Sequence, residues 1–199
     1  MTFEALLAAT LFALASSITP GPNNTMLMAS GVNFGFRRSL RHLSGVQIGF
    51  WILLLATGLG LNTALSHFPG FYQGLRIAGT LYLLWMAYQL ATAKPSGNDT
   101  NAPSQPMGFW AAVGFQWVNP KAWVMTVTCM STYLPPNATF AQLMTLMLMF
   151  VVVGLPCSLL WLGFGQAMRQ WLQDPVRLRL FNVTMAIALV ASLYPMLTM

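Results

Sequence analysis

Two short stretches carry the residues able to do chemistry. Thr19-Pro20-Gly21-Pro22-Asn23-Asn24 sits in an uncharged apolar run between Glu4 and Arg37, and Gln116 followed by Asn119-Pro120-Lys121 sits in another, about Met107 to Thr132. Each proline removes an N–H and crowds the turn before it, so a helix passing through either stretch breaks there. Broken backbone at membrane depth is tolerated only where it is buried in protein or lines a wet cavity. The asparagines after the first break are placed to cap the second half-helix and, with Gln116 and Asn119, offer donors and acceptors to a small polar solute. Lys121 adds an ammonium, at a cost of about 2.5–3.5 kcal/mol near mid-span. No acidic residue lies well inside an apolar run, so a carboxylate for Lys121 would have to come from a solute. The plain alternative is that Lys121 snorkels or bonds carbonyls exposed by its break. Together Pro20, Gly21, Pro22, Asn23, Asn24, Gln116, Asn119, Pro120 and Lys121 form a site suited to a small zwitterion, with proline-freed carbonyls receiving its ammonium. Either stretch alone could be a packing kink; a pair of breaks favours a transport site.

The elements that must position these residues are membrane helices. Of 199 residues, 56% are hydrophobic and 6% charged, against about 25% charged in ordinary soluble domains. The apolar runs are long and continuous, which excludes an outer-membrane barrel. The basic residues give a net charge of +6 but sit at the edges of apolar runs, where they set orientation in the lipid bilayer; nucleic acid is not a partner. Glu4 and the lack of a basic start argue for a retained first helix over a signal peptide. The expected fold is all-α and polytopic, with about six spans near residues 5–36, 43–66, 72–93, 107–132, 140–168 and 180–197. Residues 37–42 and 169–179 read as basic loops, and Gly154 with Pro156 as a kink. The polar linker 94–106 divides a single transmembrane domain into repeats of about 1–93 and 107–199, and Pro22 and Pro120 fall in the first span of each. Three spans per half give the halves opposite orientation, with helices 1 and 4 broken. By the positive-inside rule the loops after odd-numbered spans are cytoplasmic and both termini periplasmic, with Arg76 the discordant charge.

Several segments together resemble the LysE/RhtB family of amino-acid exporters of the bacterial inner membrane. They are Ile18-Thr19-Pro20-Gly21-Pro22-Asn23-Asn24, Gly35-Phe36-Arg37-Arg38-Ser39, Gly45 with Gly49, Gly79-Thr80-Leu81-Tyr82-Leu83-Leu84-Trp85, and Phe115-Gln116-Trp117-Val118-Asn119-Pro120-Lys121-Ala122. The details lean toward the cysteine/O-acetylserine exporter-like branch. The resemblance implies export of small neutral amino acids or derivatives, coupled to protons, with the proline-break residues as the site.

Proton coupling sits uneasily with the residues themselves. His42 and His67 fall at span ends, where a solvated structural role is expected, leaving Lys121 as the group that could exchange a proton. Gln47, Trp51, Asn62, Tyr82 and Gln89 could line a pathway or form interhelical bonds. The pairs Gly31/Gly35 and Gly45/Gly49 suit close packing within the chain or a homodimer. No metal spacing, cofactor motif or acidic filter ring occurs, which speaks against a channel. The alternative from another class is a thiol–disulfide oxidoreductase using Cys129 and Cys157, but neither has a CxxC partner or a basic neighbour in sequence.

Overall fold

The computed structural model describes residues 2–61, 69–92, 105–135 and 137–191. Among these the chain is helical, without strands: α1 Phe3–Ile18, α2 Pro22–Phe34, α3 Phe36–Gly58, α4 Pro69–Thr92, α5 Phe109–Val118, α6 Pro120–Tyr133, α7 Phe140–Met168 and α8 Pro175–Ala191, with a 3-10 turn at Trp171–Gln173. Asn62, His67, Ala93 and linker residues 94–104 lie outside the described residues, as does the side chain of Arg76.

The surface is apolar and the interior is dotted with polar groups. α1 exposes Phe3, Leu7, Leu11, Leu14 and Ile18, and α7 exposes Leu148, Val152, Leu160 and Phe164; helical spacing gathers each set on one side. Asn24, Ser30, Gln47, Gln116, Asn119 and Asn182 are buried. This reverses the usual soluble pattern and fits a hydrocarbon surround. By length and composition α3 and α7 can each cross a bilayer, and α1 with α2, bent by 49° at their break, forms a third candidate span. The protein is therefore a polytopic helical membrane protein. Of the other helices, α4 is diluted by Gln73, Arg76 and Gln89, and α8 has 17 described residues.

Three local expectations, the two basic loops and the solvated placement of His42, are corrected. The segment Arg37–His42 is the start of α3 rather than a loop, because Gly35 alone makes the turn from α2. Its φ of 84° is the left-handed conformation that glycine adopts freely. His42 is consequently almost two turns inside α3 and 1% exposed, not solvated at a span end. Likewise Arg177 and Arg179 belong to α8, which begins at Pro175 with Asp174 Oδ1 accepting the Arg177 N–H at 2.9 Å. α7 runs unbroken past Pro156.

Glycines set how closely the helices approach. A Cβ on Gly31 would strike the Leu162 carbonyl and one on Gly165 the Met28 carbonyl, so α2 and α7 cross backbone to backbone. Gly45 and Gly49 do the same for α3 against Phe109, Ala112, Val113 and Gln116 of α5. Gly31, Gly45 and Gly49 are thus spent inside the chain. Gly165→Ala is expected to lower thermal stability in detergent by about 1–3 kcal/mol, the usual cost of overpacking. Gly163→Ala, whose Cβ would meet nothing within 4 Å, serves as the control and keeps or raises stability; equal melting of the two variants would contradict the close crossing.

Candidate functional site

The first break leaves the last carbonyls of α1 without intrahelical donors. Three side-chain groups take them up. Asn24 Nδ2 donates to the Ser17 and Thr19 carbonyls at 2.8 and 2.9 Å. Trp161 Nε1 donates to the Ile18 carbonyl at 3.1 Å. Lys121 Nζ, reaching over from α6, donates to the Thr19 carbonyl at 2.8 Å, to Thr19 Oγ1 at 2.9 Å and to the Pro20 carbonyl at 3.2 Å. A cation at the C-terminal end of a helix is also favoured by the helix dipole. Gly21 makes room for this contact: its backbone is fully extended, a conformation open to any residue, but a Cβ there would lie 2.6 Å from Lys121 Cδ.

Asn23 and Asn24 do not cap α2 as expected. The cap position is Gly21, without a side-chain bond; the Asn24 amide instead turns back to close α1. Asn23 pairs with Gln116 of α5, with Asn23 Nδ2 donating to Gln116 Oε1 at 2.8 Å and Gln116 Nε2 donating to Asn23 Oδ1 at 3.0 Å. At the second break Asn119 does cap α6, its Oδ1 accepting the Lys121 N–H at 3.1 Å. Trp123 Nε1 donates to the Trp117 carbonyl at 2.9 Å, satisfying the end of α5.

Pro22 and Pro120 occupy the first position of α2 and α6, where a missing N–H costs nothing. The next residue in each case, Asn23 or Lys121, reaches across to the half-helix of the other break. The two breaks are thereby fastened to each other from both sides.

A cavity of about 50 Å³ opens between them, lined by Gly21, Asn23, Asn24, Asn119 and Lys121 among others. Space for a water takes roughly 10–15 Å³ on this measure, so a few waters fit as it stands, and an amino acid needs it to widen. Both α2 and α6 direct their N-terminal turns at it, an arrangement that attracts anions. Pro20, Pro22, Gln116 and Pro120 act from one remove. Gln47 reaches the cavity and donates through Nε2 to Ser158 Oγ at 2.8 Å. Sequence reasoning missed Ser16, Ser17 and Ser158, which also line it; the serine pair just before Thr19-Pro20 was an available signal. At the far side Phe50 and Phe150 stack tilted with ring centroids 5.5 Å apart, joined by Phe12 at 6.4 Å from Phe150. Tyr82 packs on Phe115 instead of the cavity, and Gln89 is exposed.

Lipid-facing helices around a polar cavity, with broken backbone at its floor, are the build of a membrane carrier. The chain belongs to the LysE type translocator family, whose profile matches residues 14–192; it is a transporter and not an enzyme. It is 35% identical to a cysteine/O-acetylserine efflux protein of Klebsiella pneumoniae over 81% of this chain and 82% of the relative. A Salmonella typhimurium protein of the same name is 36% identical over 69% of each chain, and one from Escherichia coli K12 is 31% identical over 96% of each. No solved structure matches the chain. The thiol–disulfide reading is overturned by this membership; Cys129 and Cys157 are free and buried.

The Asn23–Gln116 pair is testable as a coupled unit. Asn23→Ala and Gln116→Ala should each lower unfolding stability, and the double variant should fall short of their sum by about 0.5–3 kcal/mol in a thermal-denaturation cycle. Strict additivity would mean that the amide pair does not fasten the breaks.

Proposed function

We propose that the protein exports a small neutral amino acid or derivative, of the cysteine/O-acetylserine type or the threonine, homoserine or leucine type, across the bacterial inner membrane, and that proton entry drives it. The observation that carries the reading is the Lys121 ammonium held on the oxygens of Thr19 and Pro20 beside the cavity. A zwitterion meets that arrangement by exchange of partners. Its carboxylate takes the ammonium of Lys121 at the N-terminal turns of α2 and α6. Its own ammonium takes the oxygens that Lys121 gives up. The Lys121 ammonium and the oxygens of Thr19 and Pro20 stay paired in the empty and loaded states, which matters where an unpaired charge is costly. The relatives named above are cysteine/O-acetylserine efflux proteins, and a small substrate suits the size of the cavity.

The transport cycle we infer uses two inverted repeats, helices α1–α4 and α5–α8, around this site. The packing supports it: α3 against α5 is answered by α7 against α1, α2 against α7 by α6 against α3, and the equivalent helices pair as α3 with α7 and α4 with α8. The α2–α3 turn meets the end of α7, where the Phe36 N–H donates to Gln166 Oε1 at 2.8 Å. Arg37, Arg38, Arg41, Arg169, Arg177 and Arg179 cluster toward this end, which the positive-inside rule makes cytoplasmic, with both termini periplasmic.

The test uses proteoliposomes loaded with labelled O-acetylserine, cysteine, threonine or leucine. Release of one of them, stimulated by a pH gradient and reduced at least tenfold in Lys121→Ala, is expected. Gly21→Ala should impair release with the fold kept, since its Cβ displaces only the lysine stem. Wild-type release by Lys121→Ala would remove the lysine from the site; no release of any solute by folded protein would remove the substrate class.

A further inference from the structure

The cavity is lined by no carboxylate or imidazole among the described residues, yet a proton-driven carrier needs a group that changes charge. His42 lies one turn along α3 from Val46, which lines the cavity. Residues four apart share a helix face, here separated by about 6 Å along the axis. Its Nδ1 shares a 2.8 Å hydrogen bond with Ser30 Oγ of α2, and its Nε2 is buried without a partner. On α8, Asn182 is 1% exposed and neither Oδ1 nor Nδ2 has a partner.

The apolar clusters set how α2 runs against α8. Met26 clusters with Ala186 and Leu189, whereas Met28 and Val32 cluster with Phe181 and Leu172, so the two helices run antiparallel. One turn from Met26 is Ser30; one turn back from Ala186, on the same face, is Asn182. Buried polar atoms left unpaired cost about 1–3 kcal/mol each, and folded interiors keep few of them without a use. Four buried side-chain atoms among the described residues lack a partner, and His42 Nε2 and the two amide atoms of Asn182 are three of them, Trp51 Nε1 being the fourth.

We propose that His42 is the proton-binding residue of the carrier, with Ser30 and Asn182 as the groups that receive its charge. The inference rests on the proton-driven reading given above. In the neutral ring Nδ1 accepts from the Ser30 hydroxyl and Nε2 carries the hydrogen. A proton arriving at Nδ1 turns that nitrogen into a donor. The serine hydroxyl, able to donate or accept, rotates to accept it and turns its own hydrogen to the Met26 carbonyl, the usual i−4 partner of a helical serine. The amide oxygen of Asn182, directly or through one water, accepts from Nε2.

The other titratable groups whose side chains are described are engaged elsewhere or exposed: on α4 Tyr82 packs on Phe115 and Tyr88 is exposed, and Asp174 before α8 is exposed. α2 and α5 contain none. On α6, Lys121 is held at Thr19 and Pro20, and Cys129 packs with Ala9 and Leu54 beyond the cavity, where Tyr133 also lies. On α7, Cys157 precedes the cavity-lining Ser158, and Arg169 past its end lies against Gly35. Arg37, Arg38 and Arg41 of α3, and Arg177 and Arg179 of α8, are exposed.

His42→Gln puts an amide at the position and cannot take up a proton. In proteoliposomes it should retain exchange of labelled for unlabelled O-acetylserine within twofold of wild type, while stimulation of net release by a pH gradient falls at least tenfold. Undiminished stimulation would overturn the proposal. So would equal loss of exchange, which would make His42 a structural residue. A substrate-free readout separates this from failure of the transport reading. The chain has two histidines, so the imidazole C–H resonance missing in His42→Gln identifies His42 by NMR in detergent. That resonance should shift as the pH is lowered and the ring takes up its proton; a resonance that stays static until the protein unfolds overturns the proposal even where no solute is transported.

Discussion

The structure depends on one requirement: carbonyls freed by a helix break inside a bilayer must find donors. At the first break the carbonyls of Ser17, Ile18, Thr19 and Pro20 are all met by side chains, from Asn24, Trp161 and Lys121. Two of these donors come from distant parts of the chain. Trp161 ties the break to α7 and Lys121 ties it to α6, so the requirement that permits the break also positions the helices around it. A proline-broken helix with only local donors would leave the second half of the chain free to sit elsewhere.

The same logic works in both directions with unequal chemistry. The residue after each helix-starting proline reaches the other break, yet one is an amide on an amide and the other an ammonium on carbonyls. The amide pair of Asn23 and Gln116 is neutral and self-contained, which suits a fixed joint. The ammonium of Lys121 binds oxygens that a substrate ammonium could equally occupy, which suits a joint that opens. Glycine crossings at Gly31, Gly165, Gly45 and Gly49 bring backbones close on one side of the cavity. Phe12, Phe50 and Phe150 close the other with side chains alone, and rings can turn more readily than crossed helices can part.

Much of this was legible in the sequence because proline and charge in an apolar run have few meanings. The breaks and the meeting of their residues followed from Pro20, Pro22, Pro120 and Lys121. What stayed hidden depended on pairing across the fold. Asn24 sits where a cap for α2 is expected, but its amide turns back to α1, where three-dimensional geometry offers unpaired carbonyls. His42 follows three arginines, a composition that suggests a loop. A single glycine in the left-handed conformation removes that loop, and α3 carries the histidine inside. Ser30 and Asn182 are unremarkable in sequence and acquire meaning only through the register of α2 with α8.

The central claim, that the Lys121 ammonium exchanges its carbonyl partners for the substrate carboxylate, can be measured as a distance. With ¹⁵N-lysine protein in bilayers and O-acetylserine labelled with ¹³C at its α-carboxylate, rotational-echo solid-state NMR should give a nitrogen–carbon separation within about 4 Å at Lys121, the range of a direct ion pair. Lys121→Arg supplies the assignment, because Lys94 is the one other lysine in the chain. Bound substrate whose carboxylate shows no dephasing from Lys121 would place recognition elsewhere and leave the lysine a purely structural clamp on the broken helix.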